Sequence, residues 1–267
     1  MSGRDQLGAE APLCLAECRR EGRLAELPLH LLAGRAEAEA FQRAALAALG
    51  GETCGYKIGA TGAEAQRLLG CNGPLQAPIL RQHVLASGAS LRLPPGCLGI
   101  ECEVGFVLAR DYPAEGERPD AAGLRASIAE CFIGLEVIGR RVTAAVPLTE
   151  ITGIADYGFN VAVVRGGSVA DWQRRDLAAM PVQAAVDDAI AARGSGAEVL
   201  GHPLNALLWL AEDLRAQGRG LRRGEMVFTG TCTGITKVAP GQSFEGRFAD
   251  LPPVRLRLEA EGRGGGR

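Results

Sequence analysis

The chain has 267 residues, 47% of them hydrophobic, and a formal net charge of −2. A chain of this length supports one large domain, or one domain with a smaller helical addition, and its near-neutral charge offers no footing for nucleic acid or an anionic membrane surface. Apolar stretches are broken by charge, Gly or Pro well before the roughly 18 residues of a membrane span, and MSGRDQLGAEAPLCLAECRREGR lacks the apolar core of a secretory signal. A cytoplasmic protein with neither membrane nor nucleic-acid partners is expected.

In chain order, residues 11–50 read as helical, with AEAEAFQRAALAALG ending on Gly50-Gly51. CGYKIG (54–59) reads as a short strand, TGAEAQRLLG (61–70) as a short helix, and Pro- and Gly-punctuated loops run on to about residue 85. Four β-patterned segments then follow: HVLASGASLRLPP, GIECEVGFVLARDY, FIGLEVIGRRV and FNVAVVRGG. A helix over 121–131 (AAGLRASIAEC) separates the second from the third. PLNALLWLAEDLRAQG (203–218) is the clearest helix, with Pro203 in its first turn, Gly218 at its end, and a stripe of Leu204, Leu207, Leu208, Ala211 and Leu214. EMVFTGTCTGI and VRLRLEA complete the strands, and EGRGGGR reads as a disordered tail. The pattern gives an α+β protein: a mainly helical region 1–85, a strand-rich domain 86–260 and a tail 261–267.

None of the eight cysteines forms a C-x-x-C pair and several sit in apolar runs, which describes reduced core thiols rather than a zinc site. The carboxylates are more telling. In GIECEVGFVLARDY, strand alternation puts Ile100, Cys102, Val104, Phe106 and Leu108 on one side. Glu101 and Glu103 share the other, with Cα atoms roughly 6.6 Å apart. Such a pair must face water, meet cations or hold a metal ion. Glu136, alone among apolar neighbours in FIGLEVIGRRV, needs a partner too; Arg140 and Arg141 are at hand. Three carboxylates on neighbouring strands, with no clustered His or Cys, describe an oxygen-only site of the kind Mg²⁺ or Mn²⁺ favours.

Lys57 fits either a lysine turned to bulk water or a proton carrier whose pKa falls in a dry pocket beside a metal. The TGTCTG loop (229–234), with Thr229, Thr231 and Thr233, fits an ordinary turn as well as a carboxylate-binding loop. His202 fits a helix cap. No nucleophile-elbow, Walker or dinucleotide motif is present.

Taken in order, GYKIGATGAEAQRLLG, GIECEVGFVLARDY, LEVIGRR, IADYGFN, VLGHPLNALLWLAEDL and GEMVFTGTCTG resemble the 2-keto-4-pentenoate hydratase and 4-oxalocrotonate decarboxylase branch of the fumarylacetoacetate hydrolase superfamily. The resemblance spans about Phe41 to Leu258. It implies a mixed, strand-rich roll with an N-terminal helical region, acting on a small 2-oxo acid. It also implies a homo-oligomer, which can be complexed with a sister hydratase or decarboxylase. By motif, Glu101, Glu103 and Glu136 would hold Mg²⁺ or Mn²⁺, and Lys57 would be the catalytic lysine. Thr231 would contact the substrate carboxylate, with Tyr56 and Thr233 nearby and Asp156 supporting from behind.

Departures fall at Leu75-Gln76, where many members carry an Asp, at Gly139 in place of an acid, and at Ala155-Asp156-Tyr157 in place of ADN. Hydration comes first among the implied reactions and decarboxylation second. Acylpyruvate hydrolysis is third, because the His/Glu pair of the hydrolases is missing. A degenerate keto-acid-binding or partner subunit is the non-enzymatic alternative.

Overall fold

The computed structural model describes residues 7–260, so the expected tail at 261–267 lies outside the described residues. Within the stretch 11–50 the structure has two helices, α1 (Ala11–Glu21) and α2 (Arg35–Leu49), rather than one continuous helical stretch. Gly22, left-handed at φ 65°, closes α1, and a single 3₁₀ turn at Leu29–Leu31 bridges to α2. Strand β1 (Thr53–Gly59), helix α3 (Ala63–Leu69), β2 (Leu75–Leu80), β3 (Val84–Ala86) and β4 (Ser90–Leu91) follow. Then come the two long strands β5 (Cys97–Leu108) and β6 (Ile128–Gly139), joined through the short helix α4 (Ala121–Ala126). The expected helix over 121–131 thus stops early. Asp120 caps it by accepting from Gly123 N, but Ile128 already faces the core as the first residue of β6, and pairing with β5 prevails over helix propensity.

The remaining elements are α5 (Glu150–Ala155), β7 (Asn160–Ser168), β8 (Pro181–Val186), β9 (Ala189–Ser195), α6 (Pro203–Ala216), β10 (Met226–Thr231), β11 (Ser243–Phe248) and β12 (Val254–Leu258). The strands form a seven-stranded sheet, β2-β1-β10-β5-β6-β7-β3, and a five-stranded sheet, β4-β12-β11-β8-β9. Because β1 and β2 belong to the larger sheet, that sheet crosses the boundary expected at residue 85.

Alternation along β5 and β6 divides the chemistry. Ile100, Cys102, Val104 and Phe106 of β5, with Ile133, Leu135 and Val137 of β6, pack in one core with Val182, Phe244 and Leu256 of the smaller sheet. Helix α6 closes that core with Leu207, Leu210, Ala211 and Leu214. Its buried face is turned slightly from the expected stripe, so Leu204 and Leu208 are only half-buried. His202 caps it as expected, Nδ1 accepting from Leu204 N at 3.0 Å.

The other face of the larger sheet carries Glu101, Glu103 and Glu136 above the edge-to-face pair Phe132–Phe228. It is covered by a second apolar cluster in which α1 and α2 meet α5 through Leu15, Phe41, Ala45, Ile154 and Tyr157. The eight cysteines are all free thiols, and six are buried. No helix among the described residues is long and apolar enough to cross a membrane.

Candidate active site

Antiparallel pairing sets Glu101 of β5 directly opposite Glu136 of β6, a cross-strand pair of like charges that is destabilising unless something lies between them. Glu103 follows on the same face. One carboxylate oxygen from each of the three lies within 4.8 Å of the others. All three residues are buried, Glu103 and Glu136 at 0% exposure and Glu101 at 8%.

Lys57 reaches the group from β1. Its Nζ lies 3.1 Å from Glu136 Oε2 and donates to Gly158 O at 2.9 Å. Asn160 Nδ2 donates to Glu136 Oε1 at 2.8 Å, and Gly230 N donates to Glu103 Oε2 at 2.6 Å. Glu103 Oε1 is buried without a hydrogen-bond donor, and Glu136 Oε2 is met by the Lys57 ammonium. Buried acceptors of this kind normally find a partner. Three convergent hard oxygens, one of them lacking a donor, fit a divalent cation such as Mg²⁺.

Two backbone features make the contacts possible. Gly230 has φ 108°, and a Cβ there would meet Thr61 Oγ1 at 2.3 Å, so only glycine brings this amide to Glu103. Between α5 and β7, Tyr157, Gly158 and Phe159 are consecutively left-handed at φ 53°, 62° and 61°. For the two non-glycine residues that conformation costs about 1–2 kcal/mol each. It reverses the chain within one turn, so that the Gly158 carbonyl meets Lys57 and the Asn160 amide meets Glu136.

The turn is pinned by a buried ion pair. Arg141 donates from Nε to Asp156 Oδ1 at 2.6 Å and from its backbone N to Asp156 Oδ2 at 2.7 Å. Its other nitrogens reach the carbonyls of Asp156 and Asn160. Arg19 of α1 donates to Asn160 Oδ1 at 3.0 Å and stacks on the Tyr157 ring. This contact orients the amide so that its NH₂ faces Glu136.

Burial lifts the Glu101 carboxyl to about 7, against the pull of Lys57 and with a further push from Glu136. Glu103 is raised well above the usual carboxylate range by burial and by the charges of Glu136 and Glu101. Lys57 differs from its sequence expectation of a lowered pKa. Burial does pull it down, but the three carboxylates outweigh burial and hold it above its ordinary value. A cation on the carboxylates would cancel that opposing term and leave burial to act.

A stability prediction follows. Folded Glu101 binds its proton more tightly than in the unfolded chain, so its stabilising effect is complete below about pH 4.5 and is lost as pH rises through about 7, and Glu103, raised in the same direction, acts with the same sign. The shift at Glu101 alone amounts to about 3 kcal/mol. Chelator-treated protein should melt at progressively lower temperature from about pH 5 to about pH 8, with added Mg²⁺ reversing the loss. A melting temperature flat across this range, with or without Mg²⁺, would refute a mutually repelling carboxylate cluster.

Of the residues expected here, Lys57, Glu101, Glu103 and Glu136 come together. Tyr56 does not. As the neighbour of Lys57 on β1 it points to the opposite face, into the main core, where its hydroxyl accepts from Arg219 at 2.8 Å. Thr231 pairs with Glu103 across the strands, but its hydroxyl donates to Gly234 O and accepts from Thr233 N. The loop therefore reaches Glu103 through a backbone amide rather than a threonine hydroxyl. Asp156 touches Arg141, one step removed from Asn160.

Asn160 and Arg19 do not stand out in the sequence as site residues, and Arg141, at hand there as a partner for Glu136, pairs with Asp156 instead. A buried Asn opening a strand is the available signal, since Asn is depleted in strands. At Gly139 a Cβ would lie 3.1 Å from Gly96 O and 2.8 Å from Val161, so packing leaves no room for an acid. Leu75 is fully buried at the start of β2, whose Ala77 pairs with Lys57 across the strands.

A family model described as fumarylacetoacetate (FAA) hydrolase C-terminal matches residues 78–259, more than half of the chain. The TodF product hydratase of Pseudomonas putida is 30% identical over 253 residues, 90% of this chain and 91% of its own. The 2-keto-4-pentenoate hydratase of Paraburkholderia xenovorans is 28% identical over 215 residues, 79% of this chain and 78% of its own. Among solved structures, the 4-oxalocrotonate decarboxylase from Pseudomonas putida G7, complexed with magnesium and adipate, superimposes with a TM-score of 0.79 at 24% identity. That alignment covers 94% of this chain and 98% of the decarboxylase, a likeness of fold.

Proposed function

The chain belongs to the fumarylacetoacetate hydrolase family, and from that premise we propose that it is a divalent-metal-dependent hydratase that adds water to a 2-hydroxydienoate or its 2-oxo-4-enoate form, in the degradation of aromatic compounds. The observation that carries the reading is the convergence of Glu101, Glu103 and Glu136 with Lys57 on one buried face. The names of the relatives, 2-keto-4-pentenoate hydratase and 2-hydroxyhexa-2,4-dienoate hydratase, support the substrate class.

Glu101, Glu103 and Glu136 would hold Mg²⁺ or Mn²⁺, which supplies Lewis-acid stabilisation of the negative charge that develops on the oxygens of a 2-oxo acid. Asn160 and the Gly230 amide hold one oxygen each of Glu136 and Glu103 in place, while the second oxygen of Glu136 faces Lys57. Lys57, fixed by the Gly158 carbonyl, carries the proton. It takes up the proton released as the 2-hydroxyl becomes a ketone and delivers one at C5, so that the remaining C3–C4 alkene is conjugated with the ketone. Water then adds at C4 and a proton at C3, giving the 4-hydroxy-2-oxo acid. The functional unit crosses residue 85, because Lys57 comes from β1. The reading carries with it a cytoplasmic homo-oligomer, able to join a sister hydratase or decarboxylase.

A paired assay tests the reading, using 2-hydroxypenta-2,4-dienoate and 2-oxohex-3-enedioate with Mg²⁺ or Mn²⁺. The expected result is loss of diene absorbance with formation of 4-hydroxy-2-oxopentanoate, abolished by chelator. CO₂ release from the diacid without hydration would replace the hydratase by a decarboxylase. Silence on both with metal bound would point to acylpyruvates. Silence with no metal bound would remove the enzymatic reading.

A further inference from the structure

Away from the carboxylates, the C-terminal end of α1, the segment 82–95 and the starts of the strand-end loop 140–141 and of β7 enclose a pocket of about 690 Å³. That size lies within the range of small-molecule sites. Its wall holds an unusual surplus of positive charge. Arg19, Arg92 and Arg140 line it and have no carboxylate partner among the described residues. Arg141 is committed to Asp156 at 2.6 Å. Glu21, the one acid on the wall, is engaged by Arg23 at 2.5 Å.

The surplus is not merely solvated. Arg19 Nε, Arg19 Nη1 and Arg140 Nε are buried and have no hydrogen-bond acceptor, and a buried guanidinium donor left unmatched is costly. Burial and the charge of Arg141 pull Arg19 down to about 9, and burial together with Arg19 and Arg141 pulls His83 down to about 4. Arg20, Arg23, Gln82 and His83 also line the pocket, and one stretch of its wall is apolar, with Leu24, Leu85, Leu93, Pro94 and Val161. A small inorganic anion would satisfy the arginines but leave that wall and most of the volume unfilled.

We propose that this pocket binds an organic carboxylate with a short apolar body, its carboxylate taken by Arg19 and Arg140, with Arg92 at the mouth and the hydrocarbon against the leucine and proline wall. Guanidinium groups match a carboxylate in both charge and donor geometry, and the apolar wall favours a ligand that can bury a hydrocarbon chain. The site is separate from the glutamate cluster and needs no metal. Arg19 is shared with the Asn160–Glu136 chain, whereas Arg140 donates to the carbonyls of Thr143 and Val146 and Arg92 is exposed. Those two residues therefore isolate the pocket.

The test is calorimetric titration of sodium hexanoate into the chelator-treated full chain, with inorganic phosphate as the comparison anion. Saturable hexanoate binding is expected, at least about tenfold tighter than phosphate, unchanged in Glu101→Gln and weakened at least about tenfold in Arg140→Gln. Arg92→Glu, at an exposed position that leaves the fold alone, should weaken binding several-fold by repulsion. Equal affinity for phosphate would overturn the proposal in favour of a bare anion site. Loss in Glu101→Gln but not in Arg140→Gln would place the ligand at the glutamates. Absence of binding, with Arg92→Glu splitting an oligomer in sedimentation, would assign the pocket to a subunit contact and end the proposal.

Discussion

Lys57→Met is expected to lower turnover of the dienoate by about 10²–10⁴-fold, the usual contribution of a positioned proton carrier, while leaving a metal-dependent rise in melting temperature in place. Methionine keeps the length and apolar stem of lysine, so the space beside the Gly158 turn stays filled. What disappears is the charge 3.1 Å from Glu136 and the donor to Gly158 O. Without that charge the three carboxylates lose the cation in direct contact with Glu136, so the metal-free variant should melt below the wild type and respond to Mg²⁺ more strongly. Stopped-flow loss of diene absorbance and thermal melts with and without Mg²⁺ provide the two readouts. Turnover within about threefold of wild type would remove Lys57 from the proton route.

Glu101→Gln should separate stability from function in the opposite sense. The glutamine fits the same space, and it removes a carboxyl that burial already lifts to about 7. The metal-free variant is therefore expected to be at least as stable as the wild type near pH 8, because a repelling buried charge has gone. The response to metal should collapse. With ion about 100-fold above its dissociation constant, wild-type protein gains about 2.7 kcal/mol, a rise of roughly 5–10 °C for a chain of this size; the variant should gain almost none. Turnover should be lost together with the metal response. A variant that keeps both would show that Glu101 serves the fold alone, and the assignment of the three glutamates as ligands would fall with it.

These two variants probe the parts of the site that are legible in local spacing alone. Glu101 and Glu103 read as a pair because strand alternation has a period of two, and that local rule needs no knowledge of the partner strands. Glu136 and Lys57 stand out as charges in apolar segments. Tyr56, by the same rule, has to face away from Lys57, and the structure shows it doing so, in the core against Arg219. The alternation that identifies the glutamates is sufficient to exclude the tyrosine.

The strands β8 and β9 are illegible in the sequence for a different reason. PVQAAV and AIAARGS are rich in alanine, which has weak strand preference on its own, and they become strands because β8 pairs with β11 and β9 closes the edge beside it. The helix expected over 121–131 is cut short by the same kind of competition, with Ile128 and Cys131 drawn into β6 by the long ladder to β5.

The sequence by itself determined the α+β class, the long acidic strand and the α6 helix with its histidine cap, because each is a property of spacing along a few neighbouring residues; the roles of Glu101, Glu103, Glu136 and Lys57 come from the ordered motifs that carry the family resemblance. Only the tertiary structure decided what surrounds them. It set Glu101 opposite Glu136, brought the Gly230 amide to Glu103 through a turn only glycine can make, and ran the support of Glu136 through Asn160 to Arg19 and, behind it, Arg141 to Asp156. Those contacts join residues far apart in the chain, held by burial and by three successive left-handed residues. Nothing in local spacing encodes that arrangement; it exists only where the helical N-terminal region closes over the sheet.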